Sequence, residues 1–117
     1  EETLFPCLMV GGKGCMTATA GILPEIMVDI YNAWKNQNYE EAKKLQASIL
    51  LILRTMFSLP FPLGFKYAME LRGFKMGPPK QPLSDAERFN YRNTKVRIEK
   101  IMIPILAQLR KDEKASA

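Results

Sequence analysis

Histidine is absent from this chain. Its absence removes Ser-His-Asp and Cys-His nucleophilic arrangements and every His-containing zinc site. Any catalytic chemistry must therefore fall to lysine, tyrosine, carboxylates or thiols. Cysteine is scarce. Cys7 and Cys15 form neither a C-x-x-C pair nor a zinc spacing, so two buried free thiols in a reducing, cytoplasmic setting are expected. Long apolar runs are also missing, and none approaches the roughly 18 residues of a membrane span. Leu4–Val10 follows two glutamates rather than a basic region, which is not a signal-peptide pattern. No internal repeat or low-complexity tract is present.

At 117 residues and 47% hydrophobic, the chain is long enough to bury a modest core without staples. Its net charge of +5 admits nucleic acid or acidic ligands as partners but requires neither. The first residues, Glu1-Glu2-Thr3-Leu4-Phe5-Pro6, contain no methionine and pass at once into apolar sequence. The expectation is that Glu1 is a cut end, of the chain or of a removed tag.

Along the chain, Pro6 with early acids suggests a short helix that stops at Gly11-Gly12. Lys13–Thr19, of small and β-compatible residues, is the candidate strand, buried on both faces. Gly21 marks a second break, and Pro24 opens a helix to about Gln37. Met27, Ile30, Tyr31 and Trp34 make its apolar stripe. Asn38 is placed to cap a long helix from Tyr39 to Ser58, with Glu40 and Glu41 at its positive end. Ile49–Leu53 is apolar all round, which predicts cover on every side, at the centre of its bundle or at a subunit interface. Pro60-Phe61-Pro62 makes a rigid corner. A short helix over Leu63–Arg72, with Phe65, Ala68, Met69 and Leu71 inward, ends at Gly73. A proline-stiffened connector over Lys75–Leu83 leads to the Ser84-Asp85-Ala86-Glu87 capping box. The last helix then runs to about Arg110 through Ile98, Ile101, Met102, Ile105 and Leu109. Pro104 should kink or divide it, and Lys111–Ala117 should fray.

Three groups of residues invite chemistry. Gly11-Gly12-Lys13-Gly14 could cradle an anion, but phosphate loops follow a strand and open a helix. Here the order is reversed, which favours a tight turn. Lys66 lies in an apolar helix beside Tyr67, where a nucleophilic role competes with the commoner case of a packed stem and a solvated amine. Arg88, Arg92 and Lys95, interleaved with Phe89 and Tyr91, are the nearest approach to a nucleic-acid surface. Acids offset them, no known binding pattern surrounds them, and a solvated or subunit-contacting face is favoured. Residue types alone make Met16, Thr17 and Thr19 core. They imply a small, mostly helical domain with one buried strand and no identified activity.

The order of the pieces is more specific. Leu4-Phe5-Pro6-Cys7-Leu8-Met9-Val10-Gly11-Gly12-Lys13-Gly14-Cys15-Met16-Thr17-Ala18-Thr19-Ala20-Gly21-Ile22-Leu23-Pro24 resembles the barrel end of the dihydrodipicolinate synthase / N-acetylneuraminate lyase family. There a short helix precedes a G-G-x-G-V-I-S-V-type last strand and the final barrel helix. The resemblance extends through Asn38-Tyr39-Glu40-Glu41-Ala42, through Pro60-Phe61-Pro62-Leu63-Gly64-Phe65-Lys66, similar to the family's P-N-P-x-P-x-K corner, and through Leu71-Arg72-Gly73. It also takes in Gly77-Pro78-Pro79 and Gln81-Pro82-Leu83-Ser84, and so covers about Leu4 to Leu109.

The resemblance implies the C-terminal fragment of a (β/α)8 TIM barrel, its last helix, strand and helix over residues 1–37, plus the family's C-terminal helical extension over 38–117. A whole barrel of this kind needs roughly 250 residues, so the isolated chain is expected to be mostly α. The family's chemistry is of class I aldolase type. A lysine forms a Schiff base with pyruvate or another 2-keto acid, without a further cofactor or metal, in a homo-oligomer that is usually a tetramer. Nothing in this chain matches the family's Schiff-base lysine or catalytic tyrosine, and Lys66 falls on a helical lysine of the extension. The chain therefore offers no catalytic residue and should be inactive alone. Met16 matches the last-strand residue beside the Schiff base, Thr17 and Thr19 are its neighbours, and Phe61 lies near the pocket mouth. These four are the expected substrate-pocket walls. Gly21 and Phe61 replace asparagines of many members, which admits a lyase, aldolase or dehydratase with a more apolar second substrate.

The resemblance leaves an alternative from another class, a free-standing helical interaction or weak nucleic-acid-binding module that re-uses the segment. Under either, a strand without neighbours has unpaired edges and should be shielded by self-association or lack order.

Overall fold

The computed structural model describes residues 2–116. Among them are seven α-helices: α1 Leu4–Met9, α2 Thr19–Ile22, α3 Pro24–Lys35, α4 Tyr39–Ser48, α5 Leu50–Phe57, α6 Leu63–Leu71 and α7 Asp85–Ser116. The chain divides into two compact units, Glu1–Leu53 and Arg54–Ala117, and the division falls inside α5.

In the first unit α3 packs on α4, and α1 lies against both. α3 buries Ile26, Met27 and Ile30, whereas Tyr31 at the edge of the expected stripe is 38% exposed. α1 contributes Leu4 and Leu8. Its first turn leaves backbone donors without intrahelical partners, and the Phe5 N–H donates to Gln46 Oε1 of α4 at 2.9 Å. That bond explains a buried glutamine on an otherwise apolar face. The Gly11-Gly12 stop forms as expected. Gly11 has φ +95, in the left-handed region that favours glycine. Gly12 passes so close to α1 that a Cβ there would sit 2.8 Å from the Cys7 carbonyl oxygen and collide with Cys7 Sγ. Asn38 caps α4, its Oδ1 accepting from the Glu41 N–H at 3.3 Å.

Three expectations fail in this unit. Lys13–Thr19 is not a strand, and no strand occurs among the described residues. A strand is defined by a ladder to a neighbour, and this segment has none. Only Thr19 within it is buried, and it already belongs to α2. Gly21 lies inside α2 and does not break the chain there. The thiols are not both buried, since Cys7 is half-buried and Cys15 exposed.

The long helix expected over Tyr39–Ser58 is two helices. The Ser48 hydroxyl donates back to the Leu45 carbonyl at 2.7 Å, a local bond that competes with helix continuation. The chain turns at Ile49 before α5 begins. Within this chain the apolar run is not covered all round. Ile49, Ile52 and Leu53 are buried, whereas Leu51 is 61% exposed.

In the second unit α6 packs along α7. Leu63, Gly64, Phe65 and Ala68 of α6 are buried, as are Thr94, Ile98 and Met102 of α7. Gly64 permits close packing, because a Cβ on it would lie 2.7 Å from Met56 Cα. The Phe61–Pro62 peptide of the proline corner is cis. The capping box of α7 is complete. The Ser84 N–H donates to Glu87 Oε2 at 2.8 Å and the Glu87 N–H to Ser84 Oγ at 3.3 Å.

Pro104 does not divide α7, which continues to Ser116. The carbonyl that loses its donor is that of Lys100. Both residues are exposed. The expected fraying past Arg110 is replaced by helix through Ser116. Gln108 Nε2 donates to Asp112 Oδ1 at 2.8 Å and Ser116 Oγ to the Asp112 carbonyl at 2.9 Å. Glu1 and Ala117 lie outside the described residues.

Candidate functional site

The stretch expected to carry pocket-wall residues lies between α1 and α3. After Gly12 the chain is irregular through Thr17 and enters the single turn of α2 at Thr19. Thr17 Oγ1 accepts from the Thr19 N–H at 3.1 Å, a local side-chain bond of the kind that closes turns. Cys7 Sγ approaches the Gly14 carbonyl at 3.9 Å. The segment is thus held at its two ends and weakly between them.

Beside it is an open concavity of about 240 Å³, lined by Cys15, Thr17, Pro24, Met27, Val28 and Tyr31 among others. It is largely apolar, with the Thr17 hydroxyl, the Cys15 thiol and the Tyr31 phenol as its polar side chains. Of the four expected wall residues only Thr17 lines it. Thr19 is fully buried, and Met16 is 100% exposed, against the expectation that it is core. A methionine so placed makes no packing contribution within this chain. Phe61 belongs to the second unit, where it is 62% exposed. Its ring meets Phe65 at 5.4 Å between centroids, and Phe57 meets the other side of Phe65 at 4.9 Å, both edge-on. The Phe61 carbonyl accepts from Gln81 Nε2 at 3.5 Å.

Lys66 has a structural partner. Its Nζ donates to the Pro78 carbonyl at 2.8 Å and ties the stiff connector to α6. The other notable cation is Lys95, whose amine lies 4.4 Å from the Tyr67 ring centroid and 5.3 Å from that of Tyr91. Burial raises the Tyr67 pKa above its ordinary value, and the neighbouring Glu99 carboxylate adds to the effect by charge and by hydrogen bond. Tyr91 is raised chiefly by burial too, with Glu70 contributing. The sequence groups Lys95 with Tyr91 on the last helix, but the pairing with Tyr67 across α6 and α7 depends on packing that spacing does not encode. The role of Tyr31 beside the concavity was hidden because its position in the stripe read as core.

Among the described residues no group of acidic or cysteine side chains could hold a metal. No buried side-chain donor or acceptor there lacks a partner. No helix is long and apolar enough to cross a membrane.

Comparison with known proteins places the chain. The model of the Dihydrodipicolinate synthetase family matches residues 1–101. The 4-hydroxy-tetrahydrodipicolinate synthase of Methanopyrus kandleri is 40% identical over 86 residues, which cover 74% of this chain and 29% of that protein. The enzyme of the same name from Caldicellulosiruptor saccharolyticus is 37% identical over 84 residues, covering 72% and 28%. A DapA-like lyase of Halobacterium salinarum is 34% identical over 83 residues, covering 71% and 27%. The chain thus spans less than a third of the length of these relatives. On the strength of the family match, which runs from α1 well into α7, the chain belongs to the dihydrodipicolinate synthetase family.

Proposed function

We propose that this chain is the C-terminal portion of a Schiff-base-forming lyase or synthase acting on pyruvate or another 2-keto acid. Residues 1–37 would complete a (β/α)8 barrel, and residues 38–117 would form the helical extension outside it. One observation carries the proposal. The segment that the family uses as its last strand has neither ladder partners nor a buried face within this chain, and its Met16 is wholly exposed. Sequence of this kind acquires a role when strands outside the chain flank it.

In such a barrel the residues at the C-terminal end of the strand face the active site. Met16, Thr17 and Thr19 are then walls of the keto-acid pocket, and Phe61 sits at its mouth. The reacting lysine belongs to an earlier strand. Its amine adds to the ketone carbon, water leaves, and the iminium so formed takes up electron density from the neighbouring carbon. Within this chain Lys66 is engaged with the Pro78 carbonyl, which supports a tethering role rather than that one. The isolated chain is accordingly inactive. The assembled enzyme is a homo-oligomer of the cytoplasm. Phe61 and Gly21, where asparagine is usual in the family, suit an apolar second substrate.

The test is a chimera in which this chain follows the part of the Methanopyrus kandleri synthase upstream of the matched segment. Pyruvate with borohydride should add one reduced pyruvyl group to the chimera, on a lysine outside this chain, and none to the chain alone. An adduct on Lys66, or a folded chimera that gains no mass, would overturn the proposal.

A further inference from the structure

α7 has two faces. Thr94, Ile98 and Met102 are buried, and they lie on the side that packs with α6. On the opposite side of the same helix are Phe89, Val96 and Ile103, exposed at 62%, 49% and 56%. They recur every seven residues, and at 100° per residue they drift by only about 40° around the axis over that length. Three large apolar side chains in line, on the side of a helix away from its core contacts, form a seam of the kind that a second helix fills.

Basic residues outnumber acids around this seam, Asp85, one turn before Phe89, and Glu99 being the acids near it. Between Arg88 and Lys111 the basic residues are Arg88, Arg92, Lys95, Arg97, Lys100, Arg110 and Lys111, and the only acid is Glu99. Glu99 and Lys95 are engaged with the Tyr67 side of the helix. Arg88 approaches Asp85 at 4.0 Å. Arg92, Arg97 and Lys100 are exposed and enter no ion pair among the described residues. They flank the seam on both sides.

We propose that the outward face of α7 docks an acidic amphipathic helix of another protein. Its apolar stripe would lie on Phe89, Val96 and Ile103, and its carboxylates would meet Arg92, Arg97 and Lys100. Two considerations select this occupant. A second copy of α7, in either direction, would bring basic flanks against basic flanks, and like charges at such positions oppose pairing. An anionic membrane favours a broad apolar face with charges set behind it. Here the stripe is one side chain wide, cations are interleaved with it, and the reverse face of the helix is occupied. The proposal does not depend on the pyruvate chemistry.

The probe is a designed helical peptide with leucine at heptad positions a and d and glutamate at e and g, compared with a peptide carrying lysine at e and g. Fluorescence anisotropy with the purified chain should show the acidic peptide binding at least about tenfold more tightly, as several exposed charge pairs would add. Its affinity should fall as salt rises. The combined variant Arg92→Glu/Arg97→Glu/Lys100→Glu should invert the preference, and Val96→Asp should abolish binding of either peptide. All four positions are exposed, so circular dichroism should be unchanged. Equal binding of the two peptides, or none, would overturn the proposal. So would a concentration-dependent dimer of the chain abolished by Val96→Asp, or phosphatidylserine vesicles displacing the acidic peptide.

Discussion

Two long connectors of this molecule contrast. Residues 12–18 in the first unit and residues 73–84 in the second both follow a glycine-stopped helix. The second connector is held by its own unit. Lys66 Nζ grips the Pro78 carbonyl, Gln81 Nε2 reaches the Phe61 carbonyl, and Ser84 with Glu87 fastens its end to α7. The first has the Thr17 turn at one end, the Gly12–Cys7 hydrogen bond at the other, and the long Cys7–Gly14 contact between. Similar turn chemistry therefore has different outcomes. A connector tied to its own unit is an ordinary closed piece of a helical unit. The weakly tied one is the segment that, under the proposed function, strands outside this chain would flank.

The largest expected effect tests the scaffold under the well-held connector. Ile98→Ala removes a fully buried side chain from α7 and should cost about 2–5 kcal/mol in urea unfolding. The corresponding probe in the first unit is Gln46→Leu, which leaves the Phe5 N–H without its acceptor and should cost about 1–3 kcal/mol. Ser84→Ala dismantles the capping box and should cost about 0.5–2 kcal/mol. Lys66→Met releases Pro78 with a smaller loss of stability, and trypsin cleavage after Lys80 should become faster. In the parent chain, cleavage after Lys13 should precede cleavage after Lys80. Equal rates would remove the contrast between the connectors.

The pH dependence of the held connector has a definite sign. The Ser84 hydroxyl, and then its backbone N–H, hold the Glu87 carboxyl below its ordinary value. A depressed folded value means stability present above the unfolded pKa and lost as pH falls through the folded one. Hydrogen exchange at the start of α7 should therefore accelerate only at pH below the usual glutamate range, and Ser84→Ala should move the onset upward. Tyr67 behaves oppositely. Its raised value means that stability is kept below the ordinary tyrosine pKa of about 10 and declines as pH rises past it. Met16→Ser should be the smallest effect of all, within about 0.5 kcal/mol in this chain, yet it should weaken pyruvate trapping in the chimera.

Much of the helical layout was legible because its signals are local. Pro24, Asn38, Gly73 and the Ser84–Glu87 box act within one turn, and each does what its chemistry predicts. The misjudged places depend on partners. Lys13–Thr19 has the composition of a strand, but a strand is a relation between segments, and among the described residues no segment pairs with it. The run Ile49–Leu53 has helical hydrophobicity, but Ser48 turns its hydroxyl onto the Leu45 carbonyl and splits the helix. Pro104 does not divide α7, which continues past it to Ser116. Of the site, the family resemblance named Met16, Thr17, Thr19 and Phe61. The concavity beside Thr17 and the Tyr67–Lys95–Tyr91 group follow from packing between helices, which no short pattern records.

The most direct measurement is amide hydrogen exchange across residues 12–18, in the isolated chain and in the chimera with the upstream part of the Methanopyrus kandleri relative. If residues 13–17 belong to a last barrel strand, as proposed, their amides should exchange almost as in an unfolded peptide in the chain alone and become strongly protected in the chimera. Protection of these amides already in the isolated chain, or none in a folded chimera, would contradict the account.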